Sequence, residues 1–362
     1  VVELDELSQA FNRLADELRD RLGELARERD ESQSLIDSMA EGVIALTDDA
    51  RVLRINRAAR ELLRIPASPR FAPAASIVRQ PELRELLEES VVQPVQTREV
   101  VLGARHLVVS SRMLEGGGSV TTLLDISELR RLERVRRDFV ANASHELKTP
   151  LTAMRGFAET LLQDEPPEDL KREFLASIQK NTVRLQRLVD DLLDLSRLES
   201  GGWRARRGHV DVADAARGAW GEFLDRAAEK GVTFRIRGEA VAVADERGVE
   251  QIFQNLLDNA LRYTGEGGTI TVDLAAAARV VEVAVTDTGM GIPSRSLPRI
   301  FERFYRVDVA RDREMGGTGL GLSIVRHLVS AMGGKVTAES ELGVGTTIRF
   351  TLPASLPVPA EA

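Results

Sequence analysis

The sequence predicts a multidomain protein in which helical and α+β units alternate along the chain. Its 362 residues exceed the length of one ordinary domain, so two to four folded units are expected. The hydrophobic period changes several times, from helical spacings of three and four residues to short strand-like runs and back. These changes predict, in order, a coiled helix, an α+β domain, a long helical hairpin and a second α+β domain.

Composition excludes several classes of protein. The net charge of −8 argues against a nucleic-acid binder. The absence of cysteine rules out disulfides, thiolate metal sites and iron–sulfur clusters. No run approaches the roughly 18 apolar residues of a membrane span. The chain begins without methionine and in the middle of a helical pattern, so we expect it to be a piece of a longer protein.

Residues 1–32 are predicted to form one helix with a narrow apolar seam, which suits a coiled-coil partner. An ordinary amphipathic helix docked on its own domain is the alternative. The seam consists of Leu4, Leu7, Phe11, Leu14, Leu18, Leu22 and Leu25.

Residues 33–126 are predicted to form the first α+β domain. The run "GVIALTDDARVLRIN" is two short strands around Asp48–Ala50, which is a hairpin signal. A short helix follows, and strand-like runs then surround Gly116–Gly118. His106 lies in one of these runs and is interpreted as an ordinary strand residue, because no supporting ligand pattern surrounds it.

Residues 127–200 are predicted to form a helical hairpin that breaks at Pro166–Pro167. One hairpin leaves an apolar face open, and two copies would close a four-helix bundle, so we expect a homodimer. Its first helix carries two rows with a spacing of seven, namely Val140, Leu147, Met154 and Leu161, and Ser144, Leu151 and Ala158.

The motif "FVANASHELKTPL" places His145 next to this seam, where its side chain should point away from the bundle core. Thr149 lies one turn later on the same exposed face. Pro150 cannot donate to the carbonyl of Glu146 and should kink the helix. Glu146 can hold an imidazole N–H and make the other ring nitrogen a better nucleophile. These features suit a histidine that receives a group, whereas a metal site would need a second histidine at helical spacing.

Residues 209–355 follow a predicted linker at 201–208 and precede a tail at 356–362. "NLLDNALRYT" places Asn255 and Asn259 on one helical face, with Arg262 close behind. Two amide oxygens on one face can meet a hard cation, and an arginine can meet phosphate. "DTGMGIP" ends a strand with Asp287, whose carboxylate can take the exocyclic amine of a purine.

A glycine-rich run, "GGTGLGLSIV", opens a helix in the same domain. Free N–H groups at a helix start favour phosphate. The run does not follow a strand, as a Rossmann fingerprint would, and no Gly-Lys-Ser/Thr makes it a Walker loop. Each of these segments is weak alone, and an apolar cluster in "IFERFYRVD" is equally consistent with packing.

In this order and spacing the segments resemble the N, G1, F and G2 boxes of the GHKL (Bergerat) ATP-binding fold, an α/β sandwich. Preceded by the H box "SHELKTPL", they resemble a bacterial sensor histidine kinase. "DELSQAFNRLADELR" is similar to the second helix of a HAMP module, with Ser8 where glycine is usual, and residues 33–126 resemble a PAS domain ending in "DIS". The domain order is similar to that of phosphate-regulon-type and cell-wall-regulating sensor kinases.

The resemblance implies a role for each motif residue. His145 would be the phosphoacceptor, Glu146 its acid/base partner and Thr149 the residue that orients water in a phosphatase reaction. Asn259, with Asn255, would ligate Mg²⁺. The residues implied to bind ATP are Asn255, Asn259, Arg262, Tyr263, Asp287, Gly289, Gly291, Gly317, Thr318, Gly319, Leu320, Gly321 and Thr346. A segment from Arg306 to Met315 would be the lid over ATP.

The implied function is a two-component kinase that phosphorylates His145 from Mg-ATP and passes the phosphoryl group to a response regulator aspartate. Two alternatives stay open: a phosphatase-biased or kinase-inactive dimeric signalling protein, and an ATPase of the gyrase, Hsp90 or MutL kind. The chain would be the cytoplasmic portion of an inner-membrane sensor, attached only through a transmembrane region absent from this sequence.

Overall fold

The computed structural model describes residues 2–65, 70–163, 166–200, 202–277, 279–307 and 317–354, apart from the side chains of residues 2–16 and 29. The chain divides into two compact units, Val1–Arg137 and Asp138–Ala362. None of the helices in the described ranges combines the length and the apolar character needed to cross a membrane.

The first unit begins with one long helix, α1 (Val2–Ser38). It continues beyond the predicted boundary at residue 32, and its assignment to a HAMP module stays a prediction. A five-stranded antiparallel sheet follows in the order β2-β1-β5-β4-β3. Its strands are β1 (Gly42–Leu46), β2 (Val52–Ile55), β3 (Arg98–Leu102), β4 (Arg105–Met113) and β5 (Ser119–Asp125). The predicted hairpin at Asp48–Ala50 is confirmed as the β1–β2 turn.

Three helices connect β2 to β3, namely α2 (Arg57–Leu63), α3 (Ala74–Ile77) and α4 (Pro81–Glu89). Asn56 caps α2 and is almost fully buried. Its Oδ1 accepts hydrogen bonds from the backbone N–H groups of Ala59 and Val43, both at 2.9 Å. Its Nδ2 donates to the carbonyls of Ile36 and Glu41. One buried amide therefore satisfies backbone groups from α1, β1 and α2 at once.

The helical hairpin consists of α5 (Ser127–Gln163) and α6 (Glu168–Glu199). Helix α5 belongs to the first unit at its beginning and to the second unit from Asp138 onward. The rings of Phe157 and Phe174 stack at 5.2 Å across the hairpin near its turn. Helical assignment is continuous through Pro150, and the predicted kink at this residue stays a prediction.

The rest of the second unit is an α/β sandwich. Its five-stranded mixed sheet has the order β11-β12-β10-β9-β7, in which only the β7–β9 pair is parallel. The strands are β7 (Thr233–Arg237), β9 (Thr269–Ala276), β10 (Val280–Asp287), β11 (Val336–Glu341) and β12 (Gly345–Pro353). Two short strands, β6 (Gly208–Asp211) and β8 (Val241–Ala244), pair separately.

The helical layer consists of α7 (Val212–Gly221), α8 (Leu224–Lys230), α9 (Glu246–Tyr263) and α10 (Gly321–Ala331). Alternate residues of β9 and β10 are buried and meet the apolar face of α9 in one continuous core, which includes Phe253 and Phe350. Residues 202–207 have no regular structure, but Trp203 packs against this core, so the predicted linker is partly fixed.

Candidate active site

His145 lies on the exposed side of α5. The hydroxyl of Thr149 donates to the carbonyl oxygen of His145 at 3.0 Å, and Thr149 is also exposed. Pro150, which follows, is buried. The turn of α5 that carries the imidazole is therefore open to solvent on one side and packed on the other.

Glu146 has partners that the sequence did not predict. Its carboxylate accepts hydrogen bonds from Arg184 of α6 and from Arg306, both at 3.0 Å, and its side chain is only 14% exposed. We expected this carboxylate to hold the imidazole of His145. In this arrangement two guanidinium groups engage it, one from α6 and one from the segment that precedes the glycine-rich run.

Helix α9 presents the predicted amide pair to a cavity of about 750 Å³. The helix begins at a capping residue, Asp245, whose carboxylate accepts the N–H of Gly248 at 2.9 Å. Asn255 and Asn259 both line the cavity. The Nδ2 of Asn255 donates to the carbonyl of Gln251 at 2.8 Å. Because the amide nitrogen points back along the helix, the Oδ1 of Asn255 is directed towards the start of α10 near Gly321.

Arg262 lines the same cavity, although its guanidinium is paired with a carboxylate. It donates to Asp258 one turn earlier on α9, and Asp258 also accepts from Arg226 at 2.7 Å. Asp258 is largely buried, which alone would raise the pKa of its carboxyl, but the two arginines outweigh burial and lower that pKa. The position of Arg262 is thus fixed by an ion pair within the helix.

Asp287 ends β10 and lines the same cavity. Its Oδ1 accepts the backbone N–H of Gly289 at 2.8 Å and that of Thr346 at 3.3 Å. Burial raises the pKa of the Asp287 carboxyl, and these two hydrogen bonds oppose the rise. Gly289 has no room for a side chain, since an added Cβ would lie 2.6 Å from the carbonyl oxygen of Tyr263.

The glycine-rich run forms a loop that ends at the first residue of α10. Gly317, Thr318, Gly319 and Gly321 line the cavity. Gly319 has φ of +72°, and a Cβ there would lie 2.9 Å from the Cα of Phe304. The start of α10 at Gly321 places free backbone N–H groups next to the cavity.

Most of the predicted nucleotide-site residues meet at this one cavity. Those that line it are Asn255, Asn259, Arg262, Tyr263, Asp287, Gly291, Gly317, Thr318, Gly319, Gly321 and Thr346. Two predicted residues do not. Gly289 lies behind Asp287, where its N–H orients the carboxylate. The side chain of Leu320 is fully buried in the core, because it is the apolar residue that seats the start of α10.

Helix α6 supplies part of the cavity wall, which sequence reasoning did not predict. Arg187, Asp190 and Asp191 line the cavity from this side. The hydroxyl of Thr318 donates to Asp191 at 2.8 Å, and the side-chain amide of Gln251 donates to Asp194 at 2.6 Å. The sequence "LVDDLLDL" carries no local signal for these contacts, since acidic residues on a helix are usually solvated.

The hairpin also contacts the sandwich through aromatic rings and ion pairs. The rings of Phe139 and Phe304 lie 5.8 Å apart, and the guanidinium of Arg303 lies over Phe139. Arg303 also pairs with Glu199 near the end of α6. The predicted lid falls mostly at residues 308–315, which are outside the described residues. Its first residue, Arg306, lines the cavity and is only 5% exposed.

Three family models match the chain. Residues 31–97 match the PAS domain, residues 135–201 match the His Kinase A (phospho-acceptor) domain, and residues 244–356 match the Histidine kinase-, DNA gyrase B-, and HSP90-like ATPase. His145, the part of α5 from residue 135 onward and all of α6 fall within the second match. Asn255, Asp287 and the glycine loop fall within the third.

Two curated relatives are similar to nearly the whole of this chain. Sensor histidine kinase WalK of Bacillus subtilis is 34% identical over 366 residues, and Sensor protein SrrB of Staphylococcus aureus is 31% identical over 361 residues. Each alignment covers 97% of this chain and 60% of the relative. The chain therefore spans about three fifths of the length of the curated relatives it matches.

Among solved structures, the histidine kinase ThkA in complex with response regulator protein TrrA superposes with a TM-score of 0.50 at 22% identity, over 89% of this chain and 98% of that chain. At this identity the likeness concerns the fold alone. The chain thus contains a PAS domain, a phosphoacceptor domain and an ATPase domain of the kind found in histidine kinases, and it is similar over nearly its whole length to a sensor histidine kinase.

Proposed function

We propose that this chain is an ATP-dependent protein-histidine kinase that phosphorylates its own His145 and passes the phosphoryl group to an aspartate of a response regulator. The observation that carries the proposal is that one compact unit holds both an exposed histidine on a helical hairpin and a cavity lined by Asn255, Asn259, Asp287 and a glycine loop.

The cavity suits a purine nucleotide. Its volume of about 750 Å³ is typical of a small-molecule site. At one end, Asp287 offers a buried acceptor to an exocyclic amine, with Tyr263 and Thr346 beside it. At the other end, the start of α10 and the hydroxyl of Thr318 offer donors to phosphate oxygens. Arg262, fixed by Asp258, adds positive charge to the wall.

Mg²⁺ would be held by the amide oxygens of Asn259 and Asn255 together with the phosphates. Amide oxygens are ligands that this ion accepts, and Mg²⁺ usually combines few protein ligands with substrate phosphates. When bound, it would neutralise charge on the phosphates, which is what phosphoryl transfer chiefly requires. The amide nitrogen of Asn255 is already committed to Gln251, so its oxygen is the atom left for a cation.

On the acceptor side, exposure lets the His145 imidazole approach a bound nucleotide. Glu146 would accept the ring N–H once the arginines release it, which would leave the other nitrogen as the nucleophile. Catalysis therefore requires a rearrangement from the arrangement described above, in which Arg184 and Arg306 hold the Glu146 carboxylate.

The test is incubation with γ-labelled ATP and Mg²⁺, with His145→Gln compared with the unchanged chain. We expect label that is acid-labile, base-stable and absent from His145→Gln. His106→Gln is the matched control, because it removes a histidine that lies outside the hairpin and should keep the label. Label that persists in His145→Gln would contradict the assignment, and an absence of ATP binding would contradict the nucleotide site.

A phosphatase activity on the response regulator is a second candidate function. It is favoured by the exposed Thr149, whose hydroxyl lies one helical turn from His145, where it can orient a water molecule. We also propose that two copies associate through the hairpin, because apolar residues of the predicted seam remain open to solvent in one copy. Val140 is 56% exposed and Leu151 is 51% exposed.

A further inference from the structure

Helix α6 of the hairpin places a carboxylate on the glycine loop of the nucleotide cavity. The hydroxyl of Thr318 donates to the Oδ2 of Asp191 at 2.8 Å. Asp191 lies in the region matched by the phosphoacceptor model, and Thr318 lies in the region matched by the ATPase model. The contact therefore joins the two catalytic parts of the chain at the loop that should receive phosphate.

The Asp191 carboxylate is poorly compensated in this position. Burial raises its pKa to about 6, with the hydrogen bond from Thr318 opposing and the neighbouring Asp194 and Asp190 adding to the rise. Arg187 offsets these effects only in part. The environment of this carboxylate is unfavourable, and one hydroxyl holds it there. An anion that binds the hydroxyl more strongly can therefore displace the carboxylate.

A phosphate oxygen would use the same donor. Carboxylate and phosphate oxygens both form charge-assisted hydrogen bonds with O–H and N–H groups. Thr318 stands between Gly317 and Gly319, just before the free N–H groups at the start of α10. Both Asp191 and the triphosphate carry negative charge, so they also repel each other inside a cavity that is partly shielded from water.

Asp194 provides a second contact between α6 and the elements around the cavity. Gln251 donates to Asp194 one turn along α6, and the carbonyl of Gln251 in turn accepts from Asn255. We call Asp191 and Asp194 the acidic side of α6. This side contacts the glycine loop and α9, the two elements that face the phosphate end of the cavity.

We propose that Asp191 determines nucleotide affinity by acting as an intramolecular phosphate mimic, which competes with the triphosphate for Thr318. This inference rests on the proposed nucleotide site. It means that docking of α6 on the glycine loop and binding of the triphosphate are alternatives. Nucleotide binding would then release α6 from the glycine loop. Conversely, contacts that hold α6 against the glycine loop would weaken nucleotide binding.

The test is calorimetric titration of the whole chain with a non-hydrolysable ATP analogue and Mg²⁺. We expect Asp191→Ala to bind the analogue about 10- to 100-fold more tightly, which corresponds to the loss of one competing hydrogen bond to a charged group. Asp191→Asn keeps an acceptor without the charge and should lie between the two. Glu173→Ala removes an exposed acid of α6 that does not line the cavity, and it should change affinity by less than about twofold.

The affinity for adenosine is the control that distinguishes competition at the phosphate end from a general change in the shape of the cavity. Adenosine lacks phosphates, so its affinity should be the same in the unchanged chain and in Asp191→Ala. Unchanged or weaker binding of the analogue by Asp191→Ala, in a variant with the unfolding temperature of the unchanged chain, would overturn the inference. An equal gain for adenosine would also overturn it. Failure of the unchanged chain to bind the analogue would instead contradict the proposed function.

Discussion

Asp287 shows how one side chain combines position, burial and charge. It ends β10, where the strand delivers it to the cavity, and two backbone N–H groups hold its Oδ1. The acid is buried, so its ionised form costs more than it would in water and its pKa is raised. Ionisation is nevertheless what the proposed role needs, because only the carboxylate keeps both oxygens as acceptors. Its Oδ2 can then accept from the exocyclic amine while Oδ1 accepts from the two backbone N–H groups.

We therefore predict that ATP-analogue affinity falls as the pH is lowered from neutral, and that the fall begins at a higher pH than for an ordinary aspartate. The sign follows from the raised pKa: protons compete with the ligand for the carboxylate sooner. Asp287→Asn should bind about 10- to 100-fold more weakly at neutral pH, the range for one lost hydrogen bond to a charged group. It should also lose this pH dependence. Titration calorimetry over a pH series measures both.

Inosine triphosphate is the matched ligand control for this prediction. It carries a carbonyl oxygen where adenine carries the amine, so it should bind the unchanged chain weakly and respond little to Asp287→Asn. Equal affinity of the unchanged chain for both nucleotides would show that Asp287 does not read the amine.

At the residue scale, sequence reasoning succeeded where chemistry and local spacing decide the outcome. Asn255, Asn259, Asp287 and Thr346 reach one cavity because each is tied to the end or the exposed face of a regular element. It did not anticipate that the side chain of Leu320 would be buried in the core. Nor did it anticipate the arginine partners of Glu146, which lie far away in sequence.

At the scale of elements, the hairpin exposes the surface that should join two copies. Residues such as Val140 and Leu151 are solvent-exposed on α5 although they belong to the heptad pattern. We predict that the chain is a dimer and that Leu151→Glu shifts it to monomer at micromolar concentration, because the substitution places a charge in the seam. Sedimentation equilibrium measures the change.

Leu162→Glu provides the control for this prediction. Leu162 is also on α5 and is more exposed than Leu151, but it lies outside the heptad rows. This variant should remain dimeric. If the dimer tolerates both substitutions equally, the interface lies outside the predicted seam.

The elements themselves were largely predictable, whereas their packing against one another was not. The periodicity of α5, α6 and α9 and the turn at Asp48–Ala50 are local signals that survive in the fold. The contact of α6 with the glycine loop depends on which faces of two separately predicted domains meet. From sequence alone, Asp190, Asp191 and Asp194 would be predicted to form a solvated helix face, because nothing local indicates their contact with the other domain.

At the scale of the whole molecule, α5 is the element that runs from one compact unit into the other. Its first turns are fixed to the PAS sheet. Glu99 of β3 accepts from Arg130 at 3.0 Å and lies 3.1 Å from the ring nitrogen of His106 on β4. The backbone N–H of Ile126 also donates to the carbonyl of His106 at 2.8 Å. The beginning of the helix that bears His145 is therefore attached to the sheet.

We predict that kinase activity depends on the rotational phase of α5 between Arg130 and His145. Each inserted residue turns an α-helix by about 100°, so two alanines inserted after Arg134 turn the downstream face by about 200°, whereas seven turn it by nearly two full turns. The two-residue insertion should change the rate of His145 labelling by an order of magnitude or more, since it rotates the seam and the histidine relative to the PAS anchor. The seven-residue insertion lengthens the helix more but restores the phase, and should label at close to the original rate. Rates that decline steadily with inserted length, or do not change, would show that α5 acts as a tether and does not transmit rotation.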